Sequence, residues 1–190
     1  MAPVTFHETT IGTFSKILAV LLRILDAASP HPDVDSFLDL RLTPDMLPLG
    51  AQARIVTVAP INLVERLTGK QLVTWNEKRT MWGEQEKVWS ELIARVKMTL
   101  EILKAVDLVE VEAKADKTKL TLIVGPEDAG ASSFMEVPAI DCMLANGLPN
   151  TYFHLYMVYA LLRSNGVDIG KRDVLIPFLP SYILEGYQEP

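Results

Sequence analysis

The stretch PNTYFHLYMVYALLRSNG, residues 149–166, sets His154 among aromatic side chains. Histidine is the side chain that takes up or releases a proton most readily near neutrality. Two roles fit it here. Lining a pocket between helices, His154 would act as general base or acid, with burial lowering its pKa and favouring the neutral base form. Packed in a core, it would be neutral, hydrogen-bonded and structural. Asp45, in RLTPDMLPLGAQ, also has two readings. It can orient a histidine or take a substrate proton, or it can cap the helix that it precedes. Tyr152 can donate a hydrogen bond to a substrate oxygen. Together with Tyr156 and Tyr159 it could instead form a dimer contact, since tyrosine is enriched at interfaces. Trp82, Trp89, Met46 and Met157 would line such a site, with Asn150 as a polar contact at the head of the helix. Methionine gives a pliable apolar wall, and the same residues also suit an ordinary core.

A metal centre needs three or four converging ligands. His7, His31 and His154 lie far apart in sequence, and Cys142 is the one cysteine. No metal, disulfide or other cofactor is therefore expected. GVDIGKRD, residues 166–173, lacks the Walker spacing and follows no strand, so it reads as a helix stop and a structured turn.

The elements that must position these groups are mostly helical. Ile11, Phe14, Leu18, Leu21, Leu25 and Ala28 follow one buried helical stripe, predicting a helix over residues 10–28. Prolines in SPHPDVDS end it, and a short helical turn is expected at Phe37 and Leu38. A second helix is expected from Asp45, as N-cap, to Leu67, with Pro48 in its first turn, a kink at Pro60 and Gly69 as its stop. The third runs from Glu86 to Val106. Trp89, Val96 and Leu103 recur every seven residues, and Trp82 extends the stripe upstream. Glu91 and Arg95 form an i,i+4 pair on its outer face. KLTLIV and SSFMEV flank the turn PEDAG and predict a β-hairpin. A small helix follows near Pro138. NGLPN then breaks the chain, and Asn150 caps a last helix that stops at Asn165–Gly166. Nearly the whole circumference of that helix is apolar or aromatic, which places it centrally. The tail from Ile176 is apolar and proline-punctuated, and is expected to drape over the body or a partner.

The 190 residues suit one domain with a sizeable core, 49% of them apolar and 22% charged. A net charge of −6 without a basic stripe argues against nucleic acid and against an anionic membrane surface. MAPVTFHE lacks the basic segment of a signal peptide, and ILAVLL is too short to span a bilayer. The expectation is a cytoplasmic protein.

RLTPDMLPLGAQ, EKVWSELIARVKMTL and LPNTYFHLYMVYALLRSNGVDIGKRD occur in an order and spacing that resemble the family of domains of unknown function DUF1993, a branch of the DinB/YfiT-like bundles. The resemblance runs from about Phe6 to Leu175. It implies an all-α, up-down four-helix bundle, often dimeric. Related DinB-like proteins bind a divalent metal through three histidines, one on the second helix and two on a later one, and some are thiol-dependent transferases. This chain departs from that pattern. Its second helix has no histidine, and Ser164 stands where family members often carry one. Residues 74–85 and the tail after Leu175 are also longer than usual.

The combined reading is a cofactor-free enzyme doing acid–base chemistry, such as isomerisation, cyclisation or elimination, on a hydrophobic small molecule. His154 would be the base or acid, assisted by Asp45 and Tyr152. The alternatives are a non-catalytic dimeric binding protein and a DinB-like metal-dependent transferase.

Overall fold

In a computed structural model of the chain, which describes residues 4–77, 81–124 and 133–186, the first apolar stripe is buried along its whole length. It forms α1 (Thr13–Ala28), entered through one π-helical turn at Glu8–Gly12. Phe14, Leu18, Leu21 and Leu25 are fully enclosed, each such side chain contributing about 1.5–3 kcal/mol of transfer free energy. A 3-10 turn at Val34–Asp39 then buries Phe37 and Leu38.

The second helix is two, α2 (Leu49–Val56) and α3 (Val58–Thr68). Pro60 has no N–H to give the carbonyl one turn earlier, and the helix breaks there at Thr57. Gly69 stops α3 with φ +71°, its N–H donating to the Glu65 carbonyl at 2.8 Å. Asp45 does not cap this helix. Leu47 precedes Pro48, and a residue before proline is pushed out of the helical region. The helix therefore begins only after Pro48, whose ψ of 159° is extended. Asp45 is left in an exposed turn, accepting a hydrogen bond from Thr43 Oγ1.

Helix α4 (Trp89–Lys104) also starts later than its sequence stripe suggests. Glu91 Oε2 folds back to accept the N–H groups of Lys87 (2.7 Å) and Val88 (3.4 Å). Glu91 is thus a cap, and Arg95 is not its outer-face partner. Arg95 is buried against Glu86. Its Nη2 donates to the carbonyls of Trp82 (2.8 Å) and Glu84 (3.1 Å), and its guanidinium lies 3.9 Å from the Trp82 ring centre. Trp82 keeps the heptad spacing but leaves the helix, because Gly83 adopts φ +65°. It forms an antiparallel bridge with Trp75 and packs in a small separate core with Ile61 and Val73.

A short helix that the periodicity did not reveal, α5 (Leu108–Ala115), is capped by Asp107, which accepts from Val109 N at 2.9 Å and Glu110 N at 3.3 Å. The expected hairpin follows. Strand β1 (Lys119–Val124) pairs antiparallel with β2 (Ser133–Pro138), with Leu120 opposite Val137 and Leu122 opposite Met135. The turn expected at PEDAG lies outside the described residues.

The small helix α6 (Ala139–Cys142) continues through a π-helical turn (Met143–Gly147) into α7 (Leu148–Ser164). NGLPN does not break the chain. Gly147 is already helical, and Pro149 sits in the first turn of α7, where a missing N–H costs little. With no free helix start at that point, Asn150 has nothing to cap. Gly166 at φ +88° ends α7 as expected. The segment continues into α8 (Lys171–Leu175), a 3-10 turn at Ile176–Phe178 and α9 (Ser181–Leu184). Asp173 ties this arm to α1 through Arg23 Nε at 2.9 Å, and Phe178 packs onto the main core.

Helix α1 packs on α4 and α7, α2 packs on α7, and α3 on α4. The broken α2–α3 is therefore one arm of an up-down four-helix bundle, with the hairpin inserted before the last arm. Helix α7 is not enclosed all round, since Phe153 and Tyr156 are 50% and 45% exposed. Among the described residues, no helix is long and apolar enough to cross a membrane.

Candidate functional site

Two polar places lie between α2 and α7. The first is a buried pair. Gln52 Nε2 donates to the Leu47 carbonyl at 3.1 Å, so its Oε1 is the end that faces the His154 ring, 2.5 Å from Nδ1. An amide oxygen only accepts, so Nδ1 carries the hydrogen. In the neutral ring this leaves the lone pair on Nε2. Burial holds the His154 pKa below the ordinary histidine value and keeps that neutral form near pH 7. Thus α2 meets His154 with an amide rather than a histidine. Among the described residues, no group of three or more His, Cys, Asp or Glu side chains comes together as a metal set would.

Asp45, Tyr152, Trp82 and Trp89 lie apart from this pair. Asp45 is exposed and engages Thr43. Tyr152 is two residues from His154 on α7, about 200° round the helix, and stacks between Tyr156 and Phe178 with ring centres 5.9 and 6.2 Å away. Trp89 is buried in the main core, its Nε1 donating to the Leu25 carbonyl at 3.1 Å. Trp82 belongs to the smaller core, while Met46 and Met157 are half-buried.

The second place is a cleft of about 470 Å³. Its floor and walls come from Ile55 on α2, from Ala59, Asn62, Leu63 and Arg66 on α3, and from Leu120, Leu122 and Phe134 on the hairpin. Met143, Asn146, Gly147 and Asn150 close the far side. Of the sequence candidates, Asn150 is the one that reaches it. Asn150 lies one turn before His154 on α7, and Ile55 lies about one turn after Gln52 on α2, so the cleft adjoins the pair along the same helix seam.

Local geometry explains why the cleft exists. The π-helical turn brings Met143 and Gly147 together. A Cβ on Gly147 would lie 2.8 Å from Met143 Sδ and 2.9 Å from its Cε, so glycine lets the thioether fold back there. The hairpin packs on α6 and faces α3 across the cleft, leaving Phe134 61% exposed. Asn62 Oδ1 is shielded from solvent and accepts no hydrogen bond. The Cys142 thiol also lines the cleft and is held protonated, its pKa raised chiefly by burial. The residues missed from sequence are Gln52, Asn62, Arg66, Asn146 and Phe134. The available signal was polar residues at i,i+4 spacing, Asn62–Arg66 and Asn146–Asn150, on segments otherwise apolar.

This arrangement of arms, broken second helix and inserted hairpin defines a DinB-like four-helix bundle. The crystal structure of a DinB family member from Shewanella denitrificans matches it with a TM-score of 0.68 at 27% identity, over 89% of this chain and 90% of that one. More narrowly, the chain belongs to the family described as domain of unknown function (DUF1993), whose model matches residues 6–175, ending with α8. No curated protein matches the chain.

Proposed function

We propose that this protein binds a small amphipathic molecule in the cleft between α3, the hairpin and the start of α7. The cleft itself is the observation that supports this. Its volume falls within the range of small-molecule sites, and it combines apolar walls with a few polar groups. Native mass spectrometry against a library of small amphiphiles tests the reading. Hits should be lost in Asn150→Trp, which fills the cleft from an exposed position. Hits that persist in Asn150→Trp would place binding elsewhere.

In the catalytic form of this proposal, the enzyme is cofactor-free and the ligand extends from the cleft past Asn150 to His154, which lies one turn further along α7 and outside the cleft lining. His154 Nε2 is then the base for an isomerisation, cyclisation or elimination. Gln52 would hold the ring in the required tautomer. Asp45 and Tyr152 receive no proton in this scheme, given their positions. A His154→Gln variant that binds a hit normally but no longer converts it supports the catalytic form, and unchanged turnover refutes it.

A second reading is a dimeric interaction protein. The groove formed by Tyr152, Tyr156, Val174, Leu175 and Phe178, beside exposed Phe153, favours it. Sedimentation velocity checks this, with Tyr156→Lys expected to dissociate the dimer.

A further inference from the structure

Resting on the cleft as a binding site, we propose that its ligand is a monoanionic carboxylate with an apolar body, the acid held at Arg66. Among the described residues, Arg66 is the only charged side chain lining the cleft. It forms no ion pair with any of them. The other polar groups there include three amides, Asn62, Asn146 and Asn150. Amides serve a carboxylate's second oxygen or a neighbouring carbonyl, and add no charge.

The placement follows from helix geometry. Asn62 and Arg66 are four apart on α3, so amide and guanidinium project from one face, about 5–6 Å apart at Cβ. Asn146 and Asn150, also four apart, oppose them. The acid would lie at the Arg66 end, where that residue also borders the surface depression around Gly69 and Lys70. The apolar body would run back over Leu63, Leu122, Met143 and Phe134, covering the exposed Phe134 ring.

Charge decides among ligand classes. A cleft with one cation and no acid repels an ammonium and leaves a neutral alcohol without its strongest contact. A phosphate dianion would bring one negative charge more than the lining residues can match. A carboxylate balances Arg66, which can hold it with two parallel N–H donors.

The test uses three probes of one shape, 4-phenylbutanoate, 4-phenylbutan-1-ol and 4-phenylbutylamine, titrated calorimetrically into the full chain. The acid is expected to bind about tenfold tighter than the alcohol, with the amine weakest. Raising salt should narrow the gap, since Arg66 is exposed. Arg66→Met should bring the acid down to the alcohol's affinity without changing the melting temperature, and Arg66→Lys should restore part of the difference. Equal affinities for all three probes, abolished together by Asn150→Trp, would overturn the carboxylate assignment while leaving the cleft as a binding site. Acid binding that survives Asn150→Trp would overturn both. No binding of the acid would overturn the assignment, and the library screen would still judge the cleft.

Discussion

The Gln52–His154 pair and the neighbouring cleft sit one helical turn apart in the same apolar bundle, and they treat polarity in opposite ways. In the pair, each hydrogen bond at the interface leads to the next. The Leu47 carbonyl fixes the Gln52 amide, and the amide fixes the imidazole. The protein satisfies the Gln52 amide oxygen and His154 Nδ1 there. In the cleft, Asn62 Oδ1 accepts nothing and Arg66 has no counter-ion among the described residues. A buried polar group is costly unless paired, so a closed pair can serve structure alone. Unpaired groups around a void are what a ligand would complete. The difference shows why a histidine on an apolar helix face need not mark the binding site.

The largest test of this contrast is at the pair. Gln52→Leu should lower unfolding free energy by about 1–3 kcal/mol, because His154 Nδ1–H loses its acceptor inside the bundle. The double variant Gln52→Leu/His154→Leu should recover most of that loss, since replacing both partners removes the stranded donor. Chemical denaturation measures both. A double variant no better than the sum of its singles would show that the pair is not a closed unit.

Acidification gives the next effect. Burial lowers the folded pKa of His154 below 6.5, the ordinary value. The unfolded chain therefore takes up its proton first as pH falls. Stability from this group is fully present above 6.5 and declines as pH drops from there through the folded pKa. The slope reaches at most about 1.4 kcal/mol per pH unit. The difference between wild type and His154→Leu, followed from pH 7.5 to 5, isolates it, and parallel curves would contradict a depressed pKa.

The cleft should respond more weakly in stability and more strongly in binding. Gly147→Ala pushes on the flexible end of Met143, while alanine gains up to about 1 kcal/mol of helix propensity. Stability should change by less than about 1 kcal/mol, while affinity for any cleft ligand falls as the thioether moves. The smallest effect is Asn62→Leu without ligand. No hydrogen bond to Asn62 Oδ1 is lost, so stability should stay within about 0.5 kcal/mol or rise. A loss of 2 kcal/mol or more would mean that Asn62 is already satisfied.

Much of the architecture was legible because it repeats locally. The α1 stripe, the Gly69 and Gly166 stops and the hairpin each follow from spacing or from a residue's own backbone preference. The misreadings came from competing local rules. Trp82 kept heptad spacing, yet Gly83 turned the chain away. Asp45 looked like a cap, yet Pro48 delayed the helix. Asn150 looked like a cap too, yet the chain arrived already helical.

By itself, then, the sequence determined the bundle and its four arms, because helical periodicity encodes which face leaves water. Only the tertiary structure decided who meets whom. That Gln52 faces His154 across 102 positions, and that Arg66 shares a void with Asn150, depends on how separate arms pack. Such partnerships arise from long-range packing, and no local spacing records them.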